Sequence, residues 1–367
     1  MGLSGTAQRA LRNAWALFVG DGIEPRHATA SAVVADGPHR TLRRYGEPDA
    51  GAPVLLVPPL AAPARCYDLR PGQSLVQHLV DAGRSVHVLD FGTMDRSDRH
   101  LGFEHWVDDI VPEAIARVSE LCGGRDVDLG AWSLGGTLCL LTAAAHPGLP
   151  IRSITAFGTP IDYARIPFLG PARHLGRALG EPALTAVTHL LGGVPAPLVQ
   201  IGYRATALER ELTRPWFVAC NLADADTLAR MEAIDRFQAD MPGYPGRLFH
   251  QMAMRITVAN DLATGRVRFD DRTIDLADVS VPVLALGGSD DVLAPVPAVE
   301  AIRRVLPGSP HVRFEVVPGS HLGLLAGLTA RGTSWAHFTA FLDDPSAPVP
   351  TGPGASVGDV VRVPEFS

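Results

Sequence analysis

Short strand-like apolar stretches alternate with amphipathic ones over the first half of this chain. Pro53–Val57 reads PVLLV without a break, Val127–Ala131 is apolar at Val127, Leu129 and Ala131, and Ser85–Leu89 and Ile151–Phe157 also read as strands. Continuous apolarity marks strands covered on both faces, as in a parallel sheet. Between them, Ser74–Ala82 and Phe103–Leu121 carry helical spacing; the second has an apolar face of Val107, Ile110, Val111, Ala114, Val118 and Leu121. Thr29–Ala35 and Thr41–Tyr45 predict a hairpin turning at Asp36-Gly37-Pro38. The alternation stops after residue 160 and resumes near 280 with Val281–Leu286 and Val312–Val317. The segment between is helical in pattern, with an apolar, proline-punctuated middle at Leu190–Tyr203 and an exposed-looking Pro215-Trp216-Phe217.

This pattern predicts one α/β domain, a mostly parallel central sheet flanked by helices and interrupted by a mainly helical insertion. Its parts are an N-terminal amphipathic helix (1–28), a first core part (29–160), the insertion (161–279), a second core part (280–344) and a Pro/Gly/Ser-rich flexible tail (345–367). A length of 367 residues is enough to bury one full core. In the first helix, Leu11, Trp15, Leu17 and Phe18 lie at helical spacing and are expected to pack on the fold. The apolar run there is too short for a signal peptide, and no run is long enough to span a bilayer.

Charge changes the picture only by exclusion. The formal net charge is −7, there is no lysine, and no arginine-dense run occurs, which argues against nucleic acid as a partner. Cys66, Cys122, Cys139 and Cys220 are scattered without metal-ligand spacing, so buried thiols, a cytoplasmic location and no metal are expected.

The candidate chemistry begins at Ser133. A buried strand ends there and a helix of small residues, Gly135-Gly136-Thr137, begins. Ala131 and Gly135 flank the serine at two residues either side, which resembles the nucleophile elbow of the α/β-hydrolase fold with alanine where glycine is usual. The turn is so sharp that larger side chains would strike the neighbouring strand or helix. In that fold an acid and a histidine follow on loops after later strands. Asp291, four residues before Pro295, fits the acid better than Asp290, and His321 in the Gly-rich Pro318–Gly323 loop fits the base. The loop after Pro53–Val57 would supply one oxyanion-hole N–H. Pro58 and Pro59 have none, which leaves Leu60 or a close successor, with Leu134 as the second donor.

The chain as a whole resembles the polyhydroxyalkanoate synthase family, in particular its short, class III-like catalytic subunits. The residues that carry this are Glu24-Pro25-Arg26, Tyr67-Asp68-Leu69-Arg70-Pro71 with Ser74-Leu75-Val76, Asp90-Phe91-Gly92, Gly135-Gly136-Thr137, Thr159–Tyr163, Val281–Leu284 and Gly319–Gly323. The resemblance runs from about residue 20 to 343. It implies that the insertion is a cap, that hydroxyacyl-coenzyme A is a substrate rather than a bound cofactor, and that the assembly is a dimer, a homodimer included, or a heteromer. One position departs: those synthases use a cysteine nucleophile, and Ser133 stands in its place. Three readings follow. The first is an acyltransferase acting on (hydroxy)acyl thioesters or esters through Ser133, His321 and Asp291. The alternative is an esterase, thioesterase or polyester/lipid hydrolase, and a third is a non-catalytic partner subunit. The third is disfavoured because a scaffold has no need of all three residues.

Overall fold

In the computed structural model, residues 4–47, 51–178, 192–206 and 208–346 are described. One eight-stranded sheet organises them: β1 (Ser31–Ala35), β2 (Thr41–Tyr45), β3 (Pro53–Val57), β4 (Ser85–Asp90), β5 (Val127–Trp132), β6 (Ile151–Phe157), β7 (Val283–Gly288) and β8 (Val312–Val317). Their spatial order is β1-β2-β4-β3-β5-β6-β7-β8. The hairpin β1–β2 is antiparallel and joins β4 antiparallel, whereas every pair from β4 to β8 is parallel. The predicted strands are all present, with ends moved by a residue or two.

Side-chain alternation divides the core in two. Leu55 and Val57 of β3 face one layer, with Leu129 and Ala131 of β5 beneath helices α3 (Val111–Leu121) and α4 (Leu134–Ala145). Val54 and Leu56 face the other layer, against Leu75 and Leu79 of α2 (Leu75–Asp81) and Phe338 and Phe341 of α8 (Ser334–Asp343). Burial on both faces is why β3 is apolar throughout; β5 is buried as completely but carries Asp128, whose carboxylate is met by Arg152 at 2.6 Å.

Two expectations need correction. The stretch before α3 is a π-helical turn over His105–Ile110 rather than regular α-helix. Pro112 lies at the start of α3 and brings no N–H, so the regular ladder cannot run through it. The first helix, α1 (Gly5–Phe18), packs by a different face from the one its apolar residues suggested. The Asn13 side chain points inward and donates to Leu222 O at 2.9 Å, beside Leu17, while Leu11, Trp15 and Phe18 face outward.

Between β6 and β7 the described residues hold helices α5 (Ala196–Ala205), α6 (Leu208–Asn221) and α7 (Ala225–Ala239), the short helix Gly246–Gln251 and two small hairpins. Gly193–Val194 pairs with Tyr244–Pro245, and Arg266–Arg268 with Thr273–Asp275. Trp216 on α6 is 75% exposed. The segment before β1 is tied to α7: Ile23 N donates to Glu232 at 2.8 Å, and Arg236 donates to Glu24 O and Asp21 O, each at 2.8 Å. The predicted tail beyond residue 346 lies outside the described residues.

Candidate active site

Three loops at the C-terminal ends of β5, β7 and β8 hold the three residues singled out by sequence. Ser133 has φ 53° and ψ −124°, a left-handed conformation that L-residues with side chains rarely adopt. Surroundings hold it there. Its N–H donates to Phe157 O at 2.8 Å, and Thr159 Oγ1 donates to Ser133 O at 2.9 Å. A Cβ at Gly135 would come 2.3 Å from Val57 O, and one at Gly136 would come 2.0 Å from Thr159 Oγ1. Only glycine lets the first turn of α4 pass that close.

Asp291 and His321 form a buried pair. His321 Nδ1 lies 2.7 Å from Asp291 Oδ2. The other carboxylate oxygen accepts the N–H groups of Leu293 at 2.8 Å and Ala294 at 2.7 Å, which fixes the carboxylate plane. Asp291 is 4% exposed and His321 7%. Asp290, by contrast, is exposed and takes a hydrogen bond from Ser289 at 2.8 Å. The Nδ1 contact leaves Nε2 of His321 with no hydrogen-bond partner among the described residues.

Trp132, the residue before Ser133, ties the base loop to the elbow. Its Nε1–H donates to His321 O at 3.0 Å, and its ring centroid lies 5.1 Å from the imidazole. Gly158, one residue after the carbonyl that holds Ser133, has φ +54°, and a Cβ there would sit 3.2 Å from both Asp291 Oδ2 and His321 Nδ1. These contacts bring the three loops to one place. On the far side of Trp132, Phe237 of α7 packs at 6.1 Å between ring centroids, and Tyr203 of α5 packs on Phe237 at 6.4 Å. Burial, with the Asp291 carboxylate nearby, pushes the Tyr203 phenol up, so it stays neutral.

The two N–H groups named from sequence, those of Leu60 and Leu134, donate to no group among the described residues, although both residues are buried. Sequence reasoning missed Gly158 and Trp132. Gly158 left one signal, a glycine directly after a strand; Trp132 left none that periodicity could show.

Among the described residues no group of three His, Cys, Asp or Glu side chains could hold a metal ion, and no helix is long and apolar enough to cross a membrane. Cys66, Cys122 and Cys139 are buried and Cys220 is exposed. Burial pushes the Cys66 and Cys139 thiols up, away from the thiolate form.

The sheet order, the elbow and the order of the loops are those of one fold, and residues 52–327 match the sequence profile described as alpha/beta hydrolase fold. The chain belongs to that family, and it is an enzyme of the α/β-hydrolase fold. Within it the chain is polyhydroxyalkanoate-synthase-like. It is 24% identical to a poly(3-hydroxyalkanoate) polymerase subunit of Allochromatium vinosum over 87% of this chain and 88% of that one. The corresponding subunit of Synechocystis is 24% identical over 74% of this chain and 72% of its own length. Among solved structures, a carboxylesterase of Nitrososphaera gargenis superposes with a TM-score of 0.51 at 14% identity, covering 85% of this chain and 98% of that one. The last likeness is one of fold alone.

Proposed function

We propose that this protein is a serine acyl-enzyme catalyst, an acyltransferase acting on (hydroxy)acyl thioesters or esters through Ser133, His321 and Asp291. The observation that carries this reading is the 2.7 Å His321–Asp291 pair, with Nε2 left free, bound through Trp132 to the strained elbow at Ser133. His321 Nε2 takes the proton of Ser133 Oγ as that oxygen attacks the acyl carbonyl. Asp291 holds the imidazole in the tautomer with Nδ1 protonated and stabilises the imidazolium. The N–H groups of Leu60 and Leu134 receive the oxyanion, each worth about 3–4 kcal/mol of barrier in comparable sites. Collapse expels a thiol or alcohol, which takes the proton back from His321. The acyl-Ser133 ester then passes to an acceptor activated by the same histidine. Coenzyme A enters and leaves as part of the substrate, and no cofactor is required. Residues 161–279 serve as the cap, with Phe237 and Tyr203 on its inner side.

A hydrolase is the second reading, favoured by one observation: serine rather than cysteine stands at position 133. A serine ester is a poorer acyl donor than a thioester, so water competes well as acceptor. One experiment separates the readings: coenzyme A release from 3-hydroxybutyryl-coenzyme A, with product masses, for wild type and Ser133→Ala. Release with alcohol-coupled or oligomeric product, lost in the variant, supports the acyltransferase. Release of free hydroxy acid alone supports the hydrolase. Turnover unchanged in Ser133→Ala overturns both.

A further inference from the structure

Tyr67 lies outside the loops that carry Ser133, Asp291 and His321, yet its hydroxyl reaches the frame beneath them. It donates to Val57 O at 2.7 Å and accepts from Trp132 N at 3.1 Å, and the residue is completely buried. Val57 is the last residue of β3, and three residues later comes Leu60. Trp132 is the last residue of β5, and two residues later comes Leu134. The phenol therefore joins the two strand ends from which the two unpaired N–H groups hang.

The sequence explains why a side chain is needed there. Val57 pairs with Ala131 at the end of the parallel β3–β5 ladder. The next two residues on the β3 side are Pro58 and Pro59, which bring no N–H, so that strand can offer no further donor to its neighbour. The backbone tie between the strands runs out where the spacing of Leu60 and Leu134 has to be set. Gly135 packs its backbone against Val57 O and Pro58 O, so the first turn of α4 rests on the same carbonyl that Tyr67 holds. Burial pushes the phenol well above its ordinary range. It stays protonated, and only the protonated form can donate to Val57 O while accepting from Trp132 N.

We infer that Tyr67 is a positioning residue for the oxyanion hole: its hydroxyl, bridging Val57 O and Trp132 N, sets the separation of the Leu60 and Leu134 N–H groups. This rests on the proposed acyl-enzyme reading. The role differs from that of a buried hydroxyl that merely stabilises the core. A core role predicts loss of stability alone, whereas a positioning role predicts loss of affinity for the tetrahedral state with substrate binding kept.

The test is Tyr67→Phe in the full chain, assayed with a nitrophenyl ester for kcat and KM and with an alkyl boronic acid. The boronic acid adds Ser133 Oγ to boron and places an oxygen where the oxyanion forms. The expected result is a kcat lowered about tenfold or more with KM within about twofold, and boronate affinity lowered by a similar factor. Wild-type kcat and boronate affinity, whatever happens to the melting temperature, would overturn the inference. Should Tyr67→Phe fail to fold, 3-fluorotyrosine at position 67 keeps the shape and weakens the oxygen as acceptor. A parallel fall in kcat and boronate affinity then supports the clamp, and wild-type values refute it. Ser133→Ala separates the two levels. If it abolishes turnover while Tyr67→Phe changes nothing, the clamp alone is wrong; if it leaves turnover intact, the acyl-enzyme reading is wrong.

Discussion

Trp132 and His321 share a hydrogen bond, from indole Nε1 to the histidine carbonyl at 3.0 Å, with their rings stacked at a tilt of 39°. Through it the loop after β8 is fastened to the residue that precedes Ser133. Trp132→Phe keeps an aromatic ring but leaves a buried carbonyl without its donor, at a cost of about 1–3 kcal/mol. The expected outcome is a melting temperature lowered by a few degrees and a kcat lowered several-fold. Thermal unfolding and ester turnover measured on the same preparation check it.

Gly158→Ala places a methyl group 3.0 Å from Leu324 Cδ1 and 3.2 Å from both members of the Asp291–His321 pair. The backbone there, at φ +54°, also disfavours alanine by about 1 kcal/mol. The pair must shift, so turnover should fall by about tenfold or more while the fold is retained. Circular dichroism with kcat measurement reads both. A fully active Gly158→Ala would show that the pair tolerates displacement.

His87 gives the chain a built-in acid sensitivity. It lies in the middle of β4, fully buried, and burial pulls its pKa from 6.5 to about 4. The folded state thus keeps the ring neutral where the unfolded chain would protonate it. Below pH 6.5 the unfolded state binds the extra proton, so stability is complete above that value and declines as pH falls toward about 4. The loss over that window is about 3 kcal/mol, from a shift of roughly two and a half pH units. His87→Leu should flatten this part of the stability curve. Urea denaturation at pH 7 and pH 4.5 measures it, and an unchanged difference between the two would rule out His87 as the source.

Arg236 and Glu232 of α7 hold the segment before β1 by three hydrogen bonds to its backbone. Arg236→Ala removes two of them. The expected result is faster proteolytic cleavage between residues 19 and 30, with the core melting temperature changed little. Limited proteolysis followed by mass analysis of the fragments is sufficient.

Much of the sheet was legible because β3 and β7 lie between helical layers and are apolar on both faces, whereas β5 and β6 showed through their alternate apolar positions despite Asp128, Ser153 and Thr155. The spacing of Ser133, Asp291 and His321 along the chain was legible because each follows within a few residues of a strand whose hydrophobic positions can be read in the sequence. α1 was misread because an asparagine, Asn13, rather than an aromatic residue, faces inward to meet a backbone carbonyl. The structural parts of Tyr67 and Trp132 were missed because their bonds run to backbone groups brought near by the fold: Val57 O ten residues from Tyr67, and Trp132 N and His321 O sixty-five and 189 residues from their partners. Such partners are fixed by the tertiary fold and leave no periodic trace.

The chain leaves the sheet after β6 and re-enters at β7, and these two strands are immediate neighbours, with Ile154 beside Val283. The two strands are parallel, so the intervening segment leaves at the C-terminal end of β6 and returns at the N-terminal end of β7, crossing over between two fixed points of the sheet. Its length can change at little entropic cost, because closing a longer loop between fixed ends costs only a few tenths of a kcal/mol per modest extension. Its two ends are nevertheless rooted in the domain: Ile161 N and Asp162 N donate to Ala298 O, and Leu262, Val267, Ile274 and Leu276 are buried in the same core as α3 and α4. Variation in length is therefore confined to the stretch between these two roots, which are as much foundation as roof.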